Sequence, residues 1–272
     1  MASSNPVFNN SPAFSPRAST AAQLVRQSSP ATMSAQELTE LYSQPSATPA
    51  QTDRMSYEDT VVKIAVSFGI LAVGAIVGWM LPALFLPAMI VGFVLALVNI
   101  FKKKPSRALV LSYAAVEGVF VGGISSFFEA SFPGIVSQAV LGTLVVVGVT
   151  LALFASGKVR ASAKATKVFL IAMVGYLVFS VINMILMMTG ASQHAFGMRS
   201  IEIAGIPLGV IIGILVIIMA AYSLVLDFDS IKTGVERGAP RAYGWTAAFG
   251  IMITVVWLYL EIMRMLAILR SN

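Results

Sequence analysis

The sequence predicts an all-α membrane protein of seven transmembrane helices. Three observations carry that prediction. The 272-residue chain is 57% hydrophobic and only 11% charged, with a mean hydropathy of +0.85, whereas a soluble domain carries about 25% charged residues. The apolar residues gather into seven runs, each close to the ~20 residues that cross a hydrocarbon core as a helix. The charges fall almost wholly between those runs, and the basic ones favour alternate loops. Within each run the apolar character is continuous and does not alternate, which excludes a transmembrane β-barrel.

Residues 1–57 precede the first run. They are rich in Ser, Pro, Ala, Gln and Asn and contain no apolar stretch of signal-peptide length. This part reads as a disordered cytoplasmic N-terminal tail, and residues 58–272 as the seven-helix transmembrane domain. Within the tail, "SAQELTELYSQ" offers a short helix, with Ser34 as N-cap and Glu37 three residues later.

The spans are expected near residues 61–80, 83–101, 108–128, 134–156, 168–189, 204–226 and 245–268. "MLPALFLP" divides the first two, because Pro82 and Pro87 favour a tight turn there. Loop 2–3 holds Lys102, Lys103, Lys104 and Arg107. Loop 4–5 holds Lys158, Arg160, Lys164 and Lys167, and loop 6–7 holds Lys232, Arg237 and Arg241. The opposite loops hold only Arg199. The positive-inside rule therefore places the N-terminus in the cytoplasm and the C-terminus outside.

Net charge is +6 and the sequence pI about 9.7. A basic chain raises the question of nucleic acid, but topology accounts for these charges and no nucleic-acid partner is expected. The chain has no cysteine, which removes disulfides, thiolate metal sites and a cysteine nucleophile. One histidine, His194, does not make a histidine metal cluster or a triad.

Ionisable residues inside the apolar runs are expensive and mark candidate functional positions. Glu117, in "SYAAVEGVFVGG", lies about ten residues in from Arg107, or ~15 Å deep. Gly118, Gly122 and Gly123 beside it form a small-residue face suited to close helix packing. Its carboxyl group has two readings, a structural hydrogen bond to a neighbouring helix or a role in transport. Asp227 and Asp229 close the sixth run and differ by ~200° around a helix, so only one of them points into the bundle. They also have a plainer reading as markers of the end of the span. Glu261 lies about sixteen residues into the seventh run, too deep for a loop charge, with Arg264 as its i+3 neighbour. If the last two helices turn near "RGAPRAYG", Asp227 and Glu261 differ in depth by ~10 Å. Their pairing then needs tilt or a later turn.

Three stretches together resemble the Bax inhibitor-1 family, and particularly its bacterial YccA-like branch. They are "VEGVFVGGISSFFEASFPGIVSQAVLGT", "YSLVLDFDSIKTG" and "WLYLEIMRML". The resemblance covers roughly residues 58–270. It implies a central seventh helix wrapped by the other six. It also implies two acids, from spans 6 and 7, that share a proton and gate a calcium leak in response to pH. Residue by residue, the span-6 acid is Asp227. The span-7 acid is Glu261, where the family usually has Asp. The resemblance further implies a basic residue near the end of span 2, Lys102 or Lys103, against the acid pair, and a secondary place for Asp229.

The chemistry is coherent. Two carboxyl groups in low dielectric resist joint ionisation, and once ionised they offer the hard oxygen ligands that calcium prefers. Asp227 and Glu261 are therefore the expected pH sensor and a transient calcium site. Glu117, Asp229, Arg264, Lys102 and Lys103 are secondary. The expected partners are protons, calcium ions and the lipid bilayer, with no cofactor. The expected location is a bacterial inner membrane.

The competing expectation is a non-conducting interaction protein, since the family includes a modulator of a membrane-bound protease. Enzyme activity is not expected. The Gly-x-Gly-Asp motif of intramembrane aspartyl proteases and the Gly-x-Ser-x-Gly elbow are both absent from the sequence. Reporter fusions test the topology. A fusion after Asn272 should report an outside location and one in loop 4–5 a cytoplasmic one, and an exported loop 4–5 would refute it.

Overall fold

The computed structural model describes residues 53–102, 104–191, 194 and 196–271. Most of the expected tail, including the helix proposed at 34–44, lies outside them. Among the described residues seven helices are long and apolar enough to cross a membrane. They are α1 Tyr57–Met80, α2 Phe85–Phe101, α3 Arg107–Ser131, α4 Ile135–Ala155, α5 Ala163–Met188, α6 Leu208–Glu236 and α7 Tyr243–Ser271. Strands β1 Glu202–Ile203 and β2 Ile206–Pro207 form a small hairpin before α6.

Local chemistry sets the ends. Ser56 caps α1 by accepting from the Asp59 amide, and Glu58 and Asp59 place negative charge at the positive end of the helix dipole. Pro82 opens a single 3₁₀ turn that reverses the chain between α1 and α2. Gly134, at φ +81°, reverses it between α3 and α4. There Glu129 accepts from the Gly134 and Val136 amides at 2.6 and 3.0 Å, satisfying donors that open α4. Ser162 caps α5 through the Ala165 amide.

The largest departure from expectation concerns α6. It does not stop near residue 226 but continues for ten residues, to Glu236. Asp227 and Asp229 thus lie within a helix and do not end it. At its other end the span begins at Leu208 and not 204, because Ala204 and Gly205, both at positive φ, form the tip of the hairpin.

Helix α7 is the most buried of the seven and packs on α1, α3, α4 and α6. Met252, Leu258, Met263 and Ile268 on it are fully enclosed. Its start is fixed to the start of α1: the Met55 amide donates to Ala239, the Lys63 ammonium to the Arg241 carbonyl, and the Arg241 guanidinium to Asp59. Helices α2 and α5 are peripheral. The first packs chiefly on α3; the backbone of the second approaches only α6 and the 197–200 turn closely.

Between α1 and α3 the backbones themselves meet. A Cβ on Gly74 would lie 2.4 Å from the Ala115 carbonyl oxygen, and one on Gly78 2.0 Å from that of Val119. From the other side, a Cβ on Gly118 would lie 2.2 Å from the Leu71 oxygen and one on Gly122 1.9 Å from that of Ala75. Two Gly-x-x-x-Gly faces are therefore apposed, as the glycines around Glu117 led one to expect. Gly122→Ala should destabilise the protein by about 1–3 kcal/mol, because neither backbone can yield without separating the helices. Gly148→Ala, where a Cβ meets nothing within 4 Å, is the control. Thermal unfolding in detergent reads the difference, and equal behaviour of the two variants would refute the seam.

Candidate functional site

Two acids, Asp227 of α6 and Glu261 of α7, meet α7 at different levels, each with its own partners. The deeper is Glu261, whose side chain is 1% exposed. Its Oε1 accepts from Arg199 Nη1 at 3.1 Å. Its Oε2 accepts from the Tyr176 hydroxyl at 2.8 Å and from Arg264 Nη1 at 2.6 Å. The second arm of Arg199 donates to Tyr176 Oη and Ser180 Oγ at 3.1 and 3.2 Å. Arg199 is 4% exposed and Arg264 35%. The Arg199 guanidinium lies over the rings of Tyr176 and Phe179, about 5.4 and 5.5 Å from their centroids. One carboxylate and two guanidiniums leave a surplus positive charge in the half of the bundle away from the basic loops.

Arg199 reaches that position from a loop. The single turn Gly197–Ser200 carries it, and Asn183 of α5 holds the turn by accepting from the Met198 amide at 2.7 Å. Gly197, at φ +62°, allows that approach: a Cβ there would meet Asn183 Oδ1 at 2.5 Å. A loop residue, a peripheral helix and the central helix thus meet on one carboxylate.

Asp227 has a different environment. It is half-buried, and its Oδ2 accepts from the Thr254 hydroxyl of α7 at 2.8 Å. Thr254 Oγ1 also lies 3.3 Å from Ser223 Oγ. Gly250, one turn earlier on α7, makes room for the carboxylate; a Cβ there would sit 3.3 Å from Oδ1. Among the described residues no cation lies within salt-bridge distance of Asp227. Gly250 also borders a cavity of about 260 Å³ lined by Lys102, Lys104, Asn99 and Tyr243, at the basic end of the bundle.

The structure therefore does not join Asp227 to Glu261. Thr254, the partner of Asp227, precedes Glu261 by two helical turns, which is ~10 Å of rise. The α6–α7 turn falls at residues 237–242, where it was expected, and tilt does not close the gap. A proton shared directly between these two acids is not present here, and the two do not form a common calcium site. Among the described residues no group of three or more His, Cys, Asp or Glu could hold a metal ion.

The secondary residues divide. Arg264 pairs with Glu261, as its i+3 position led one to expect. Lys102 lines the cavity that Gly250 borders but makes no ion pair with Asp227; Lys103 lies outside the described residues. Asp229 is half-buried like Asp227 and, among the described residues, bonds to neither acid. Glu117 turns toward the bundle, its Oε2 3.1 Å from where a Cβ on Gly92 of α2 would stand. Sequence reasoning missed Arg199, Tyr176, Ser180 and Thr254. Arg199 did carry a signal, as the single basic residue in the loops of its side.

The family described as Bax inhibitor 1 like matches the chain over residues 5–271. The match begins within the polar tail, well before residue 58, where the resemblance was read to start. No curated protein matches the chain.

The two guanidiniums around Glu261 are not equivalent. Arg199→Ala should destabilise the protein by about 3 kcal/mol, since it removes the enclosed partner of an enclosed carboxylate. Arg264→Ala, at a partly solvated group, should cost about 1 kcal/mol or less. Thermal unfolding of the purified variants checks the order, and the reverse order would contradict the assignment.

Proposed function

Since the chain belongs to the Bax inhibitor 1-like family, we propose that this multi-pass membrane protein is a pH-sensitive calcium leak channel. In this reading Asp227 is its titrating station and the Glu261 cluster its seal. The observation that carries the reading is the contrast between the two acids. Among the described residues Asp227 has a hydroxyl partner and no cation, stands beside Gly250, and Gly250 borders a cavity at the basic end of the bundle. Glu261 is enclosed and tied to two guanidiniums. An ionised carboxylate without a cationic partner attracts a divalent cation, and oxygen is the ligand calcium prefers. The surplus positive charge at Glu261 repels the same cation. A cation admitted from the basic end therefore halts near Asp227 until the contacts joining α5, the 197–200 turn and α7 loosen.

Orientation follows from the basic loops, which belong on the cytoplasmic side by the positive-inside rule. That places the N-terminus in the cytoplasm and fits a bacterial inner membrane. The reading needs no cofactor and no catalytic step.

The sign of the pH effect is fixed by the chemistry. Raising the pH ionises carboxyl groups, so calcium passage increases as the pH rises and falls on acidification. Calcium flux into liposomes carrying the purified protein tests this across pH. Asp227→Asn should flatten the pH dependence, because an amide does not titrate. Glu261→Gln should raise flux at every pH by releasing α5, and keep the slope that Asp227 sets. Asp229→Asn should change little. Equal flattening by the Asp227 and Glu261 variants would mark the acids as one coupled pair in another arrangement of the helices. Absence of flux in the unaltered protein would refute conduction and leave the interaction protein, a modulator of a membrane protease, as the better reading.

A further inference from the structure

Between α1 and α4 the bundle is open at its side. The two helices scarcely touch, although both pack on α7. The gap forms two cavities laid end to end, of about 630 and about 500 Å³. Phe68, Thr143, Leu144 and Val255 are walls of both, so the cavities make one continuous groove. The larger half begins at Tyr57, where α1 starts, and the smaller reaches Met80, where α1 ends. From Tyr57 to Phe68 is about eleven residues or ~16 Å of helix, the depth of one leaflet of a ~30 Å hydrocarbon core.

The two halves differ in charge. The smaller is lined by apolar side chains with a few hydroxyls, and its lining holds no Asp, Glu, Lys, Arg or His. The larger is apolar along its length, with Arg160 and Lys232 at the basic end of the bundle. The Arg160 guanidinium lies 4.7 Å from the Phe154 ring centroid, and Phe154 packs on Phe228 at 5.7 Å. Among the described residues Lys232 pairs with Glu236 at 3.7 Å, whose side chain is 61% exposed. Such a pair is weak and readily exchanged for a stronger anion. A slot one leaflet deep, apolar along its walls and cationic only at its headgroup end, matches an amphiphile with an anionic head. A helix of a second copy would find no use for the two cations.

We propose that the larger half of this groove binds one phospholipid with an anionic headgroup, drawn from the leaflet on the basic side. Its phosphate lies between Arg160 and Lys232, and one acyl chain runs along Val61, Ile64 and Leu151. Polar groups at headgroup depth fix which lipid enters, while the apolar walls fix its orientation.

Native mass spectrometry of the full-length protein, titrated with phosphatidylglycerol or phosphatidylcholine of matched chains, tests the site. One phosphatidylglycerol should be retained more tightly than phosphatidylcholine. Replacing both cations, Arg160→Gln with Lys232→Gln, should weaken phosphatidylglycerol roughly twenty-five-fold, from roughly fivefold per cation, weaken phosphatidylcholine less because its choline already offsets its phosphate, and so remove the preference between them. Arg160 is exposed and Lys232 partly so, which keeps the fold intact in that variant. Val147→Trp, which fills the middle of the groove, should weaken both lipids, and inorganic phosphate should displace neither. Equal retention of the two lipids, or no effect of the charge variant, would reduce the bound lipid to an unselective coat and overturn the proposal. A dimer that excludes lipid would assign the groove to a second copy and overturn it as well.

Discussion

A carboxylate enclosed as fully as Glu261 is stable only with its charge answered at close range, and much of the bundle is arranged to answer it. Arg264 supplies one guanidinium from the same helix. The other has to come from elsewhere, and it comes from the 197–200 turn. That turn is held by Asn183, so α5 is drawn in with it. Tyr176 and Ser180 add hydroxyls from α5 to the same cluster. Lipid is as apolar as leucine, so no hydrophobic force presses α5 onto its neighbours. Its attachment rests mainly on this polar column, on Thr166 against Tyr222 near its other end, and on aromatic contacts with Tyr222 and Trp257.

The other side of the molecule is built on the opposite principle. Helices α1 and α3 meet backbone to backbone through four glycines, with no room for a side chain between them. Contacts of that kind are rigid because they consist of dispersion over fixed surfaces and contain nothing that ionises. Helix α7 lies between the two regimes, packed on the α1–α3 frame, paired by charge with Arg199 of the 197–200 turn and through hydroxyl bonds with α5. A bundle assembled in this way has a stiff half and a half held by polar and charged contacts.

How far the sequence reveals this depends on the range of each interaction. The spans are legible because continuous apolar runs report directly on the surrounding hydrocarbon. The glycine seam is legible too, since Gly118 and Gly122 share a helix face by spacing alone. The end of α6 is not, because a helix leaving the membrane has no reason to stop, and "DFDSIKTGVE" continues it past two aspartates. The depths of Asp227 and Glu261 follow from helical rise, and that arithmetic already sets them ~10 Å apart. Their actual partners do not follow. Thr254 depends on the rotation of α7, and Arg199 on the path of a loop 62 residues away in sequence from Glu261. The side groove is equally hidden, since it arises from two helices that do not meet.

The seven helices also differ greatly in length. Helices α6 and α7 have 29 residues each and α2 has 17, or ~43 Å against ~26 Å. With the 3₁₀ turn from Pro82 the second span reaches 20 residues and matches a core of ~30 Å, so the excess falls on the long pair, which a bilayer accommodates by tilt or by letting their polar ends project. Each ångström of mismatch carries a fraction of a kcal/mol, and a change in the tilt of α6 against α7 would shift the relative depth of Asp227 and Glu261. Membrane thickness and lateral tension therefore act directly on the balance between arrangements of this pair. The lipid composition of the surrounding membrane is in that sense a mechanical input, requiring neither a bound ligand nor a change of charge.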